Sequence, residues 1–161
     1  MDTALKKQVL RQFTYGLYIM TAAAGNEVAA STVTWLSQAS FKPPRIMAAV
    51  RVASGVHALV GQSGAFALHI LGQDQQELAA TFFKPVVVGD GRTLSGYAYE
   101  PGPVTGAPLF LDLPAWLEAQ VVETVQGGDH TIFVADIVNV GLRNPDSVPL
   151  ALRDTPWSYN R

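Results

Sequence analysis

Two glycine-bearing turns, each flanked by runs of strand-forming residues, constrain this chain more than any other feature. Leu17-Tyr18-Ile19-Met20-Thr21-Ala22 leads into Gly25-Asn26-Glu27 and then Val28-Ala29-Ala30-Ser31-Thr32-Val33. β-Branched and aromatic side chains fit a pleated, half-buried surface, and a glycine-containing turn gives the backbone freedom that a tight reversal needs. Trp116 to Val125, Gly127-Gly128-Asp129 and Thr131 to Val140 repeat the arrangement. Strands that follow one another through short turns pair antiparallel, because a parallel pair needs a long crossover.

Between these hairpins, Ile46 to Val52 reads as a strand that starts just after Pro43-Pro44, residues that cannot donate to a ladder. Ser54-Gly55 opens a short helix to about Val60, and Ala65 to Leu71 alternates as a further strand. Asp74 is expected to cap a helix from Gln75 to about Phe82, and Asp2 or Thr3 to cap an N-terminal helix that ends before Gly16. Leu5, Val9 and Leu10 fall on one face of that first helix. Lys84 to Pro108 is rich in Gly and Pro without a clear period and reads as a long surface excursion. The expectation is a mainly β, α+β chain of about six antiparallel strands forming a barrel with short helical insertions. No repeat, low-complexity tract or linker interrupts it, so one domain spanning 1–161 is expected.

Composition removes several function classes. With 161 residues, 48% of them apolar, the chain can bury one core. Eleven Lys plus Arg against 13 Asp plus Glu give a net charge of -2, so no broad positive field draws in nucleic acid. The absence of Cys excludes disulfides, thiolate metal sites and cysteine nucleophiles. Lys42, Arg45, Arg51 and Lys84 interrupt the most apolar stretches, so a membrane span is not expected, and the N-terminus lacks the apolar segment of a secretory signal. Cytoplasmic residence is the expectation. The 3 histidines, His57, His69 and His130, have no metal-ligand spacing, and no metal site is expected. Nucleophile-elbow, P-loop and Rossmann motifs are also absent.

One stretch remains with chemistry to offer. Ser31-Thr32-Val33-Thr34-Trp35-Leu36-Ser37-Gln38-Ala39-Ser40 brings hydroxyls and main-chain amides off a strand together, the mix of donors and acceptors that a polar planar ring requires. Hydroxyl residues also decorate strand edges. Arg51 and Ser54-Gly55 then place a cation, a hydroxyl and free amides where a helix begins, a setting that receives a phosphate, although Ser54 equally reads as an ordinary cap. His69 alternates within its strand, facing solvent or sitting in the interior with its polar atoms paired. Trp116 and Trp157 read as core or interface aromatics.

The hydroxyl run with Phe41-Lys42-Pro43-Pro44, then Ser54, Gly64-Ala65-Phe66-Ala67-Leu68 and Gly128-Asp129-His130-Thr131-Ile132-Phe133-Val134, resembles the flavin reductase-like, FMN-binding split-barrel family. The resemblance covers nearly the whole chain, and Thr14 to Tyr18 with Gln38-Ala39-Ser40-Phe41 is most similar to the reductase-like module of cyanobacterial flavodiiron proteins. It implies a six-stranded Greek-key split barrel, a homodimer, and FMN near the subunit interface, with FAD as an alternative and NADH or NADPH as donor. By motif position, Thr32, Val33, Thr34 and Trp35 lie along the flavin ring, with Ser37 nearby. Arg51 and Ser54 approach the ribityl chain and phosphate, and Lys84 adds a cation. His130 faces the nicotinamide side and is the candidate catalytic residue. Trp35 stands where family members commonly carry a small residue, and the tail after Trp157 ends in Asn160-Arg161 rather than glycines. Three readings follow: an NAD(P)H-dependent FMN reductase serving a downstream electron acceptor protein, a non-enzymatic FMN carrier reduced by a partner, or a haem-binding or purely structural barrel.

Overall fold

Asp2 accepts hydrogen bonds from the Ala4 and Leu5 amides at 2.8 and 3.1 Å, which starts helix α1 (Thr3–Leu10) as the cap reading expected. The helix stops well before Gly16 and buries none of its residues. The computed structural model describes residues 1–159, so the Asn160-Arg161 ending lies outside the described residues.

The first hairpin forms as expected from β1 (Tyr18–Ala24) and β2 (Glu27–Val33), with Ala24 opposite Glu27 across a turn in which Gly25 has φ 59°. Next come β3 (Leu36–Ser40), β4 (Arg45–Arg51), α2 (Gly55–Ser63), β5 (Ala65–Ile70) and α3 (Gln76–Thr81). β6 (Thr93–Leu94), β7 (Tyr97–Pro101) and β8 (Pro108–Phe110) precede the long hairpin of β9 (Ala115–Val125) and β10 (His130–Leu142), and a 3-10 turn spans Leu152–Asp154. A seven-stranded antiparallel sheet runs β2-β1-β5-β9-β10-β4-β3, and a second sheet runs β6-β7-β8.

The mainly β reading with short helices therefore holds, while the count of six strands does not. The missing member of the large sheet is β3, inside the hydroxyl run. Its Ser37, Gln38 and Ala39 are all exposed, so no inward-outward alternation marks it, and pairing with β4, Leu36 opposite Ala48, makes it a strand. The stretch from 84 to 108 is also no plain excursion. Its strands are too short for a period to show, yet Leu94, Leu109 and Phe110 are buried and the turn at Ser95-Gly96 has φ of 48° and 86°. Asp74 does not cap α3 either: Gln75 holds that position without a side-chain cap bond, its Oε1 accepting instead from the Gly72 amide at 2.8 Å.

Period-2 alternation divides β1 between two cores. Met20 joins Val33, Ile46, Val50, Phe66 and Phe133 under α2, and Ile19 joins Leu71, Leu78, Phe82, Leu94 and Phe110 beneath α3 and the small sheet. β5, an interior strand between β1 and β9, is buried on both faces from Ala65 to His69. No helix among the described residues is long and apolar enough to cross a membrane.

Candidate functional site

β4 ends and β10 begins at the same level, with Arg51 directly opposite His130 in the antiparallel register. Directly opposite residues present their side chains on one face, so the ladder brings this cation and imidazole together. The chain then folds sharply back. The Ser54 amide and hydroxyl both donate to the Arg51 carbonyl, at 3.0 and 2.8 Å, which sets the first turn of α2 beside Arg51. Across the opening, the Thr32 amide donates to the Phe82 carbonyl at 3.0 Å and the Thr32 hydroxyl to the Ala79 carbonyl at 2.8 Å, docking β2 against the end of α3 and the segment carrying Lys84.

These constraints outline a cavity of about 750 Å³ lined by Ser31, Thr32, Arg51, Ser54, Lys84 and Tyr159, among others. Among the described residues neither Arg51 nor Lys84 makes an ion pair. Two cations and the N-terminus of α2 therefore face one space, a combination suited to a phosphate, while the Ser54 hydroxyl is given to the Arg51 carbonyl. A second cavity of about 430 Å³, lined by Leu10, Tyr15, Trp35, Asp129 and His130, shares Arg51 and Tyr159 with the first.

The second cavity is built around aromatic rings. His130 packs on Trp35 with centroids 4.4 Å apart and planes 32° apart, and Tyr159 stands edge-on to Trp35 at 5.2 Å. His130 Nδ1–H donates to the Asp129 carboxylate at 2.7 Å, since a carboxylate only accepts, and His130 Nε2 lies 2.7 Å from the Tyr159 hydroxyl. Among the described residues, the Thr34 hydroxyl oxygen and Trp35 Nε1 are buried without a hydrogen-bond partner. Buried polar groups are nearly always paired, so the unpaired Nε1 of Trp35, a residue that lines the smaller cavity, suits a site that receives a polar ligand.

The sequence candidates are thus divided. Thr32, Arg51, Ser54 and Lys84 line the larger cavity, and Trp35 and His130, with Arg51, line the smaller. Thr32 spends its hydroxyl on α3. Val33 and Thr34 are buried at 8% and 5% exposure and line neither cavity. Ser37 is exposed on β3, donates to the Gln38 carbonyl at 3.0 Å and also lines neither. Sequence reasoning gave no role to Asp129 or Tyr159. An aromatic pair, Trp157 and Tyr159, in an otherwise polar tail was the available sign.

Residues 10–156 match the flavin reductase like domain family. The chain belongs to that family. It is 30% identical to the reductase component of 4-nitrophenol 4-monooxygenase/4-nitrocatechol 2-monooxygenase from Rhodococcus opacus, over 90% of this chain and 76% of that protein. It is 32% identical to diflavin flavoprotein A 1 of Synechocystis sp., over 86% of this chain and 24% of that longer protein. Among solved structures it is similar to the styrene monooxygenase flavin reductase of Pseudomonas putida S12, with a TM-score of 0.73, 29% identity, and 92% and 91% of the two chains covered. The family supplies a ligand class for the two cavities: a flavin carries a planar ring with donors and acceptors and, as FMN, a terminal phosphate. The residues present fit such a group, because two cations face the larger cavity and the aromatic rings of Trp35 and Tyr159 line the smaller one.

Proposed function

We propose that this chain is a single-domain NAD(P)H:flavin oxidoreductase with FMN as its flavin and FAD as an alternative. The observation that carries the reading is the meeting of the two cavities at Arg51, directly opposite His130 in the β4–β10 register. Arg51, Lys84 and the N-terminus of α2, with Ser54 at its start, hold the phosphate, and Trp35 lies along the ring from the smaller cavity. Bound flavin and nicotinamide supply the hydride transfer between them. His130 orients the nicotinamide, its imidazole held by Asp129, and no proton transfer is required of it.

The sheet closes as a Greek-key split barrel, and two copies pair through the outer face of β4, β10 and β9. There Met47, Ile132 and Val125 are exposed at 42%, 37% and 55%, with Ile132 opposite Val125. Apolar residues grouped on an outer sheet face support such an interface. The reduced flavin passes to an acceptor protein, a reading supported by the likeness to the Rhodococcus relative, which is the reductase component of a monooxygenase. A second reading, an FMN carrier reduced by another protein, is favoured by the packing of Trp35 and Tyr159 around His130. The test is the visible spectrum of FMN-saturated, desalted protein, followed under anaerobic conditions by NADH and then NADPH. Retained flavin that bleaches with a nicotinamide is the expected result. Retained flavin that does not bleach selects the carrier, and an absence of both retention and catalysed NAD(P)H oxidation overturns both readings.

A further inference from the structure

Tyr159 is the one member of the aromatic cluster to which the reductase reading gives no task, and it borders both cavities. The route of the tail explains how it arrives there. The Leu150 amide donates to the Leu71 carbonyl at 2.9 Å and the Leu152 amide to the Tyr15 carbonyl at 2.8 Å, which pins the chain against β1 and the end of β5. Thr155 closes the 3-10 turn through its hydroxyl on the Leu152 carbonyl at 2.6 Å. From there Trp157 stands edge-on to Phe83, a residue of the larger cavity, at 5.0 Å, and Tyr159 reaches His130 and Trp35.

His130 has two ring nitrogens, and both are engaged: Nδ1 with Asp129 and Nε2 with the Tyr159 hydroxyl. With the imidazole neutral, Nε2 accepts from the phenol; with it protonated, Nε2–H donates to the phenolic oxygen. Either way, a ligand amide reaches Nε2 only when the hydroxyl gives it up. The ring of Tyr159 also stands against Trp35, edge-on, where an incoming flat ring would need space.

Resting on the reductase reading above, we infer that Tyr159 competes with the nicotinamide for His130, so that the dinucleotide binds by displacing the end of the tail. Tyr159 is then a specificity element of the site. It admits a ligand that both bonds Nε2 and offers a flat ring against Trp35, and it disfavours ligands with only one of these features. A strap seated nine times in ten lowers the apparent affinity of its competitor about tenfold.

The experiment uses the full chain saturated with FMN and titrated with NAD⁺, which binds without turnover, in the wild type, Tyr159→Phe and Tyr159→Ala. In parallel, 3-fluorotyrosine is incorporated into the wild type, and the Tyr159 fluorine resonance is assigned by its loss in Tyr159→Phe. The expected results are about tenfold tighter NAD⁺ binding in Tyr159→Ala, a smaller gain in Tyr159→Phe, and a Tyr159 resonance that moves to a solvent-exposed position on NAD⁺ saturation. Unchanged or weaker NAD⁺ binding in Tyr159→Ala, or an unmoved resonance at saturation, overturns the inference. If the wild type binds both FMN and NAD⁺ and the variants do not tighten, only the strap falls. If it binds neither, the reductase reading falls, and the strap with it.

Discussion

His69 and His130 show two ways of placing a histidine in one sheet. His69, on β5, is fully buried, and both ring nitrogens meet backbone: the Phe110 amide donates to Nε2 at 3.0 Å, and Nδ1–H donates to the Ile19 carbonyl at 3.1 Å. Burial, with a smaller contribution from Arg143, lowers its pKa to about 4, against the opposing pull of the Ile19 bond. Nearby, Glu118 is equally sealed and accepts from the Val104 amide, from the Thr105 amide and hydroxyl at 2.8 and 2.7 Å, and from Asn139 at 2.8 Å. Burial alone would raise the Glu118 pKa, but these hydrogen bonds outweigh it and hold the carboxyl below its ordinary value. The His130 imidazole, by contrast, is held by side chains among the described residues, one from the exposed Asp129 and one from the tail, and packs on the Trp35 ring. The first region uses its polar groups to join sheets and loops. The second sets them around a cavity, as a site that binds ligands requires.

The largest test of this contrast is His69→Leu, which strips a partner from two buried backbone groups and is expected to cost about 3 kcal/mol in urea unfolding. The same residue sets a pH dependence. Its pKa is lower folded than unfolded, so the unfolded chain binds the proton first, and stability present above pH 6.5 is lost as pH falls toward about 4, by roughly 3 kcal/mol in total. His69→Gln should remove that slope, and an unchanged slope would place the titration elsewhere. Glu118→Gln is next, expected to cost about 2 kcal/mol and to loosen the 102–107 segment in amide exchange. On the cavity side, Arg51→Ala should leave urea stability within about 0.5 kcal/mol and weaken FMN about tenfold more than riboflavin, which lacks the phosphate. Equal losses for the two ligands would remove Arg51 from the phosphate site. The smallest effect belongs to Thr34→Val, which deletes a buried hydroxyl without a partner among the described residues and is expected to raise stability in urea unfolding by up to about 1 kcal/mol. Lower stability would mean that the hydroxyl already has a partner within the fold.

Much of this architecture could be read from local chemistry. The β1–β2 hairpin, the β9–β10 hairpin, the Asp2 cap and α2 each depend on residues a few positions apart, and each formed where those residues stand. β3 could not be read this way, since its exposed Ser37-Gln38-Ala39 becomes strand only by pairing with β4. The strands between 93 and 110 also escaped, because two to five residues leave no period to detect and their burial comes from Phe82 and Leu113 elsewhere in the chain. The site divides along the same line. The hydroxyl run, Arg51 and Ser54 carry their chemistry in their side chains, so residue identity and order were enough to nominate them, whereas Lys84 and His130 entered through the family resemblance.

Sequence alone therefore determined the antiparallel, mainly β character of the chain, the family it belongs to and several of the polar groups around its two cavities. Only the tertiary structure decided how those groups meet. The β4–β10 register puts Arg51 opposite His130, the docking of β2 on α3 turns Thr32 into a structural bond, and the path of the tail brings Tyr159 to Trp35. The reason is physical: turns and caps are fixed by contacts within a few residues, whereas register, cavities and ring packing are set by the joint burial of segments far apart in the chain, which no local pattern encodes.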